Sequence, residues 1–166
     1  MMSALDVVKS IQDIIIEQKT LKEGDWTELS IEVKPEDIRK AIQGLKEVMP
    51  EMHGEIIAGI DRLEDNYELV YFIWSHLKHL LILLRTKLSG PNPSIETVSD
   101  IIRVFNWHER ECAEMFGVEF RNHPDMRPIL LGKDLYGKTP LRKSFPARRL
   151  PTPGAKTAES EEEEEE

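Results

Sequence analysis

Apolar and polar residues alternate along this chain with two periods, and each change of period marks an element. Residues 4–18 show the helical period and predict an amphipathic helix. Residues 26–33 alternate strictly, which predicts a half-buried strand. Between Pro35 and Pro50 the helical period returns, so we predict a second helix that the two prolines bound. The predicted buried positions are Val7, Val8, Ile11, Ile14 and Ile15 in the first helix, and Ile38, Ala41, Ile42, Leu45, Val48 and Met49 in the second.

Three more strands are predicted after the second helix. Residues 54–63 and 67–74 indicate a hairpin around residues 64–66, and residues 77–88 indicate a strand buried on both faces in its middle. Beyond the loop at 89–94, residues 95–104 predict a short helix, and Asn106 predicts the cap of another. A strand, a helix and then three strands predict an α+β fold class, with a mixed β-sheet and packed helices.

The last third of the chain has a different composition. Six prolines follow Gly117, and residues 133–149 hold six basic residues and one acid, whereas residues 151–166 hold one lysine and seven glutamates. We therefore predict three regions: an α+β domain at 1–116, an extended, basic, Pro-rich arm at 117–150, and an acidic tail at 151–166. The tail has too little apolar surface to order itself, so we expect it to be disordered.

Composition and charge exclude several functions. A chain of 166 residues suits one domain, and its net charge of -9 argues against a nucleic-acid partner. A single cysteine, Cys112, excludes an internal disulfide and an Fe–S cluster held by the usual cysteines, and it suits a reducing cytoplasm. The longest aliphatic run, residues 80–84, is far shorter than a bilayer span, and the N-terminus lacks a signal-peptide pattern. We expect no direct membrane insertion, so any membrane contact would come through partners.

The candidate chemistry lies in residues 106–128, NWHERECAEMFGVEFRNHPDMRP. On a helical wheel carboxylates flank both apolar directions, so they must be paired if both sides are covered, because an isolated buried carboxylate is too costly. Arg110 can pair with Glu114 at i,i+4, although a solvated helix with scattered charges is the simpler alternative. One side of the wheel holds Trp107, Glu111 and Glu114, with Arg110 beside them, and the other side holds Glu109, Cys112 and Phe116. Three further charged or polar residues follow closely enough in the sequence to contact the helix: Arg121, His123 and Arg127.

The same residues allow a zinc site as an alternative. His108 and Glu109 match the start of a zinc-protease helix, Cys112 stands where its second histidine would be, and His123 is a candidate third ligand. Nothing downstream matches the rest of such a ligand set. The simpler interpretation of Cys112 is a small buried apolar residue, and a catalytic cysteine would need a positioned histidine.

A longer pattern of motifs carries a family resemblance. Glu109-Arg110-Glu111, Glu114-Met115-Phe116, His123-Pro124-Asp125 and Arg127-Pro128 follow one another at fixed gaps, and residues 136–146 extend the pattern through Pro140-Leu141-Arg142-Lys143-Ser144-Phe145-Pro146. Over residues 100–146 this resembles the signature of the thirty-kilodalton subunit family of respiratory complex I, the NADH dehydrogenase of the respiratory chain.

The resemblance implies a non-catalytic α+β subunit in the hydrophilic arm of an ion-pumping redox complex. Its C-terminal segment is expected to wrap around a large subunit, of the forty-nine-kilodalton type, that resembles the catalytic subunit of [NiFe] hydrogenases. A small Fe–S subunit and membrane-arm subunits are the other expected partners, and they would carry the Fe–S clusters and the [NiFe] site or quinone, while this chain binds no cofactor or metal. We expect a peripheral position at the cytoplasmic face of the membrane.

The type of complex is a separate expectation. The short chain and its Lys- and Glu-rich composition favour an archaeal, membrane-bound [NiFe] hydrogenase or a related ferredoxin-linked complex. A complex I of the NADH/quinone type is the alternative, and a free-standing binding module or assembly factor is another.

The resemblance also implies structural and partner-binding roles for the motif. The predicted charge network holds the helix against the following turn and the partner, that turn is shaped by its own residues, and Arg127 pairs with one of the acids while Pro128 directs the chain outward. The network comprises Glu109, Arg110, Glu111 and Glu114; the turn comprises His123, Pro124 and Asp125; Trp107 and Phe116 belong to the helix motif; and Leu141, Arg142, Lys143 and Phe145 line the partner-facing arm.

Overall fold

A computed structural model describes residues 4–146, so the predicted acidic tail and the end of the arm lie outside the described residues. The α-helices are α1 (Ala4–Lys9), α2 (Ile38–Val48) and α3 (Phe105–Phe116), with short 3-10 turns at Gln12–Ile14, Pro35–Asp37 and Lys133–Leu135. The strands are β1 (Ile15–Lys22), β2 (Thr27–Val33), β3 (His53–Asp61), β4 (Asn66–Ser75), β5 (Leu80–Ser89), β6 (Ser94–Glu96) and β7 (Glu119–Arg121). Within this part of the chain, every helix is too short or too polar to cross a membrane.

The first five strands form one mixed sheet in the order β1–β2–β5–β4–β3. Strands β2 and β5 run parallel, and the other neighbours run antiparallel. Leu29 pairs with Ile82, and Tyr71 pairs with Leu84, so these four side chains share the core face. Strands β6 and β7 form a separate parallel pair. The predicted α+β class with a mixed sheet is confirmed.

Helix α2 covers the core face as its sequence predicts. Ile38, Ala41, Ile42 and Leu45 are fully buried, Met49 follows them into the core, and Val48 packs at its margin. The hairpin of β3 and β4 also forms as predicted, with left-handed backbone at Leu63, Glu64 and Asp65 in its turn.

The N-terminal region corrects the helix predicted over residues 4–18. Helix α1 ends at Lys9, and the chain becomes edge strand β1 at Ile15. The predicted stripe up to Ile14 is buried, whereas Ile15 is only half-buried and Ile16 is 56% exposed. Three consecutive isoleucines favour a strand, because β-branched side chains suit extended backbone, and this preference prevailed over the helical spacing.

Three predictions between β5 and α3 were also wrong. Residues 95–104 form β6 and turns instead of a helix, because residues 94–96 pair with residues 119–121, a contact that local periodicity does not show. Asn106 lies inside α3, which begins one residue earlier without a side-chain cap. Strand β5 alternates between buried and half-buried side chains, so only one of its faces belongs to the core.

Two glycines of β3 allow α3 to lie close to the sheet. A Cβ atom at Gly59 would lie 2.5 Å from the ring of Phe116, and one at Gly54 would lie 2.5 Å from the ring of Phe105. Helix α3 ends at Phe116, and Gly117 caps it: its left-handed backbone (φ 70°) lets its N–H bond to the carbonyl of Ala113. The candidate functional helix is therefore held across one edge of the sheet.

The opposite face of the sheet carries an ion-pair ladder. The buried carboxylate of Glu68 lies 2.5 Å from Arg62 and 2.5 Å from Arg85, and Glu32 lies 2.8 Å from Lys87. Desolvation opposes ionisation of Glu68, but the two arginines outweigh it and hold its pKa below the usual range. This face thus satisfies its charges within the chain.

Candidate functional site

Helix α3 turns its side chains in two main directions, as the helical wheel predicts. Phe105, Cys112 and Phe116 are buried against the sheet, whereas Trp107 is 60% exposed. Glu111 and Glu114 are half-buried on the outer side. Glu109 and Arg110 are both buried, so the charged residues of the motif must be satisfied inside the protein.

Glu109 meets this demand with neutral hydrogen-bond donors. Its carboxylate accepts a bond from the Val98 N–H at 2.7 Å and another from the Thr97 hydroxyl. Burial raises the pKa of Glu109 to about 7, although both bonds act to lower it. The side chain therefore ties α3 to the segment that follows β6 and is half-protonated near neutral pH.

Arg110 binds a backbone carbonyl instead of the predicted Glu114. Its Nε and Nη2 atoms donate to the carbonyl of Arg127 at 2.9 Å and 2.6 Å. Glu114 accepts the N–H groups of Leu130 at 2.9 Å and Leu131 at 3.2 Å. The predicted pair is replaced because both side chains satisfy backbone groups of the returning chain, a use that a helical wheel cannot show.

The turn after β7 is organised by two of its own side chains. The N–H of Asp125 donates to Nδ1 of His123 at 3.0 Å, so the ring proton of His123 is on Nε2. This Nε2–H group donates to the carbonyl of Asn106 at 3.2 Å. Nε2 also lies 3.7 Å from Oε2 of Glu109, and both side chains are fully buried. His123 thus returns to α3, as predicted.

Arg127 forms its ion pair within the turn. Its guanidinium donates to Asp125 at 2.8 Å and 2.7 Å, and these bonds hold the pKa of Asp125 well below its usual range. The acid that it pairs with therefore lies in the turn and not on α3. Arg121 bonds to Glu96 at 2.8 Å and so does not return to the helix. Pro124 and Pro128 are exposed.

The arm does not leave the domain at Pro128, because the described residues remain in contact with α3 and β3. The N–H of Leu141 donates to the carbonyl of Met115 at 3.1 Å, and that of Lys143 donates to Asp61 at 2.8 Å. Arg142 donates to the carbonyl of Phe116 at 2.7 Å and lies 4.9 Å from the ring centroid of Tyr67. The side chain of Lys143 is exposed and that of Phe145 is half-buried.

A shallow apolar groove lies between β3, α3 and the arm. Its volume is about 360 Å³, and Glu111 is its one charged lining residue among the described side chains. Leu130 and Leu141 form its outer walls and are 56% and 57% exposed. The full lining is Ile57, Gly59, Glu111, Cys112, Met115, Phe116, Leu130 and Leu141.

The candidate zinc ligands are not brought together. Nδ1 of His108 contacts Glu111 at 3.1 Å, and the thiol of Cys112 points to the carbonyl of Ile57 at 3.7 Å. Burial raises the pKa of the Cys112 thiol to about 12, which disfavours the thiolate that binds a metal. Across residues 4–146, no three histidine, cysteine or carboxylate side chains are placed to share an ion.

Several contacts of this site were missed from the sequence. Thr97, Asp61 and Tyr67 touch the motif or the arm from distant positions in the chain, and nothing in their local sequence marks them. The end of α3, in contrast, is marked in the sequence by Gly117, since a glycine after an apolar helical residue is typical of a helix end.

Comparison with known proteins assigns this arrangement to a family. The sequence profile described as "Respiratory-chain NADH dehydrogenase, 30 Kd subunit" matches residues 31–150, which include strands β3 to β7, helices α2 and α3, and the arm. The chain belongs to this family. The pattern that carries the resemblance, residues 100–146, therefore lies within the matched region.

Two curated relatives in the thirty-kilodalton subunit family are from an archaeon and a bacterium. A subunit of the F(420)H(2) dehydrogenase of Methanosarcina mazei is 37% identical over 90 residues, which are 54% of this chain and 57% of that protein. A subunit of the NADH-quinone oxidoreductase of Rhizobium meliloti is 35% identical over 121 residues, 70% of this chain and 65% of that protein. This chain thus spans less than two thirds of the length of either relative.

One solved structure shares the fold of this thirty-kilodalton-type subunit. A chain in the membrane-bound sulfane sulfur reductase (MBS), an archaeal respiratory membrane complex, superimposes with a TM-score of 0.71. The match covers 86% of this chain and 82% of that one, at 23% sequence identity. At this identity the likeness establishes the fold alone.

Proposed function

We propose that this chain is a non-catalytic structural subunit of the hydrophilic arm of a complex I-like, ion-pumping redox complex. It docks through α3 and the arm onto the hydrogenase-like large subunit. One observation carries the proposal: the polar groups of the motif hold the arm to its own domain, as in Arg110 with Arg127 and Glu114 with Leu130. Large apolar side chains remain outside, namely Trp107, Leu130 and Leu141. Exposed apolar groups on a fixed frame suit a protein interface.

The charge distribution supports the same surface. Residues 127–146 hold five basic residues and one acid, although the whole chain has a net charge of -9. A basic segment on an acidic protein favours a partner with an acidic docking site, because opposite charges speed association and select the partner.

The type of complex is the finer part of the proposal. We take the complex to be an energy-converting [NiFe] hydrogenase or a related ferredoxin-linked complex; the archaeal relative, a subunit of an F(420)H(2) dehydrogenase, supports an archaeal setting. The bacterial relative supports the alternative, a complex I of the NADH/quinone type. In either case the Fe–S clusters and the [NiFe] site or quinone belong to partner subunits. This chain then sits peripherally at the cytoplasmic face of the membrane.

Purification from the native cells tests membership of such a complex. The chain is tagged, the membranes are extracted with a mild detergent, and the companions are identified by mass spectrometry. We expect a hydrogenase-like large subunit, a small Fe–S subunit and membrane-arm proteins. A chain that purifies alone from cells grown under respiratory conditions contradicts the proposal.

A substitution tests whether the arm itself contributes to docking, as distinct from the chain belonging to the complex. Arg110→Ala removes the two hydrogen bonds to Arg127 that hold the arm, so the tagged variant should recover fewer companions than wild type. Lys22→Ala, at an exposed position on β1, is the control. The melting temperatures of the isolated variants show whether the domain remains folded. Equal recovery of companions with both variants contradicts a docking role for the arm.

A further inference from the structure

We propose that the groove between β3, α3 and the arm is a socket for one large apolar side chain of the partner subunit, carried on an acidic segment. This inference rests on the proposed docking of the arm and names the chemistry of what it binds. Glu111 is the one residue of the charge network that lines the groove.

The walls of the socket are fixed by backbone hydrogen bonds. The N–H of Leu130 is held by Glu114 at 2.9 Å, and the N–H of Leu141 is held by the Met115 carbonyl at 3.1 Å. Both backbones are anchored to α3, yet more than half of each side chain is exposed. The socket therefore exists before the partner arrives, and binding requires little ordering of the arm.

The floor of the socket is apolar and uncharged. Phe116 lies against the bare backbone of Gly59, and Ile57 and Cys112 complete the floor. The Cys112 thiol stays protonated at neutral pH, because burial raises its pKa to about 12. A charged side chain would be desolvated here without a partner, whereas a leucine, methionine or phenylalanine would gain contact area.

The charges around the socket select an acidic neighbourhood in the partner. Lys133 and Lys138 are exposed in the loop that joins its two leucine walls, and Lys143 follows the second wall. Asp134 is the acid in this loop, and Glu111 at the rim is already in contact with His108. A basic segment would be repelled by the three lysines, so acidic residues are expected on both sides of the inserted side chain.

A photo-crosslinking experiment identifies the occupant directly. The substitution Leu141→p-benzoylphenylalanine is introduced into the tagged full-length chain in its own cells. The cells are irradiated, and the tagged protein is then purified and digested. Leu77→p-benzoylphenylalanine is the matched control, because Leu77 is 67% exposed in the turn between β4 and β5. We expect a crosslink from position 141 to a partner peptide with a large apolar residue among acidic residues, and none to that peptide from position 77. A crosslink to residues 147–166 of this chain, to a basic peptide or to no protein overturns the inference.

Recovery of companions measures the contribution of the socket. We expect Leu141→Asn to lower recovery of the large partner about tenfold, as truncation of an interface anchor does, and Leu77→Asn to leave it unchanged. Equal melting temperatures of the two variants show that folding is not the cause. If both variants recover the companions as wild type does, the socket proposal is contradicted and the proposed function is unaffected. If the wild-type chain recovers no companions, the proposed function itself is contradicted.

A charge-reversal variant tests the acidic neighbourhood separately. Lys133→Glu combined with Lys138→Glu should lower recovery severalfold, and the loss should shrink at high salt, where electrostatic attraction is screened. The matched control is Lys19→Glu with Lys22→Glu on β1, where both lysines are exposed. Unchanged recovery with the arm variant contradicts an acidic occupant.

Discussion

At the scale of single residues, Glu109 shows how a buried acid is accommodated by neutral hydrogen-bond donors, with His123 nearby at 3.7 Å. A hydroxyl and a backbone amide satisfy it, and desolvation raises its pKa to about 7. A pKa above the ordinary carboxyl value means that the folded protein binds this proton more tightly than the unfolded chain. The stabilisation is complete below the ordinary value near pH 4.5 and disappears as the pH rises through about 7.

Glu109→Gln should remove this pH dependence. The amide resembles the protonated acid, so the variant should keep its stability at pH 8, where wild type should have lost about 2 kcal/mol relative to pH 5. Urea unfolding at several pH values measures the difference. The control is Glu111→Gln, at a half-buried position on the same helix. A wild-type stability that does not fall between pH 5 and 8 contradicts the assignment.

The sequence predicted which residues of the motif matter but not what they bind. The helical wheel placed Glu109 and Cys112 on the side opposite Trp107, and the structure shows that this side faces the sheet. It could not show that Arg110 and Glu114 bind the backbone of residues 127–131, since those contacts depend on where the chain returns. Its pairing of Arg110 with Glu114 was therefore wrong.

At the scale of elements, the contact between α3 and β3 depends on the absence of a side chain at Gly59. A methyl group there would lie 2.5 Å from the ring of Phe116, and Phe116 cannot move away freely because it packs in the core. Strand β3, which positions the motif on α3, therefore tolerates no larger side chain at Gly59.

Gly59→Ala should destabilise the protein by about 1–3 kcal/mol through overpacking. The double variant Gly59→Ala with Phe116→Leu should lose less stability than the sum of the two single variants, because the smaller side chain makes room for the methyl group. Thermal unfolding of the three variants completes this cycle. Strict additivity would mean that the two residues are not in steric conflict.

The elements themselves were predicted where their sequence pattern agrees with their tertiary role. Helix α2 and the β3–β4 hairpin match because proline boundaries and a polar turn mark their ends. Residues 15–18 and 94–96 became strand because a neighbouring strand was available to pair with them, which depends on the whole fold.

At the scale of the whole molecule, the arm is joined to the sheet at Asp61. This carboxylate accepts the N–H of Lys143 at 2.8 Å and that of Leu63 at 2.7 Å, and these bonds lower its pKa. The stabilisation from a lowered pKa is present above the ordinary carboxyl value and is lost as the pH falls through the lowered one. Acid should therefore release this end of the arm.

Asp61→Asn should loosen the arm at neutral pH. An asparagine amide offers one acceptor oxygen in place of two, so one of the two N–H groups loses its partner, at about 1 kcal/mol. Trypsin cleavage after Arg142 and Lys143 should become about fivefold faster, since cleavage follows the population of the open state. Asp65→Asn, in the exposed hairpin turn, is the control. Equal cleavage rates in the two variants would contradict the role of Asp61.

The parallel pairing of β2 with β5 also has a consequence for biosynthesis. Strand β2 lies between β1 and β5 in the sheet and pairs with β5 in parallel. In the sequence, however, the hairpin of β1 and β2 precedes residues 80–89, so it emerges from the ribosome well before they are made. Strands β3, β4 and β5 are antiparallel neighbours in sequence and can form first, whereas insertion of the hairpin beside β5 closes a long loop and should be slow. During that interval the apolar residues of β2 remain uncovered, and newly made chains would depend on chaperones at this stage.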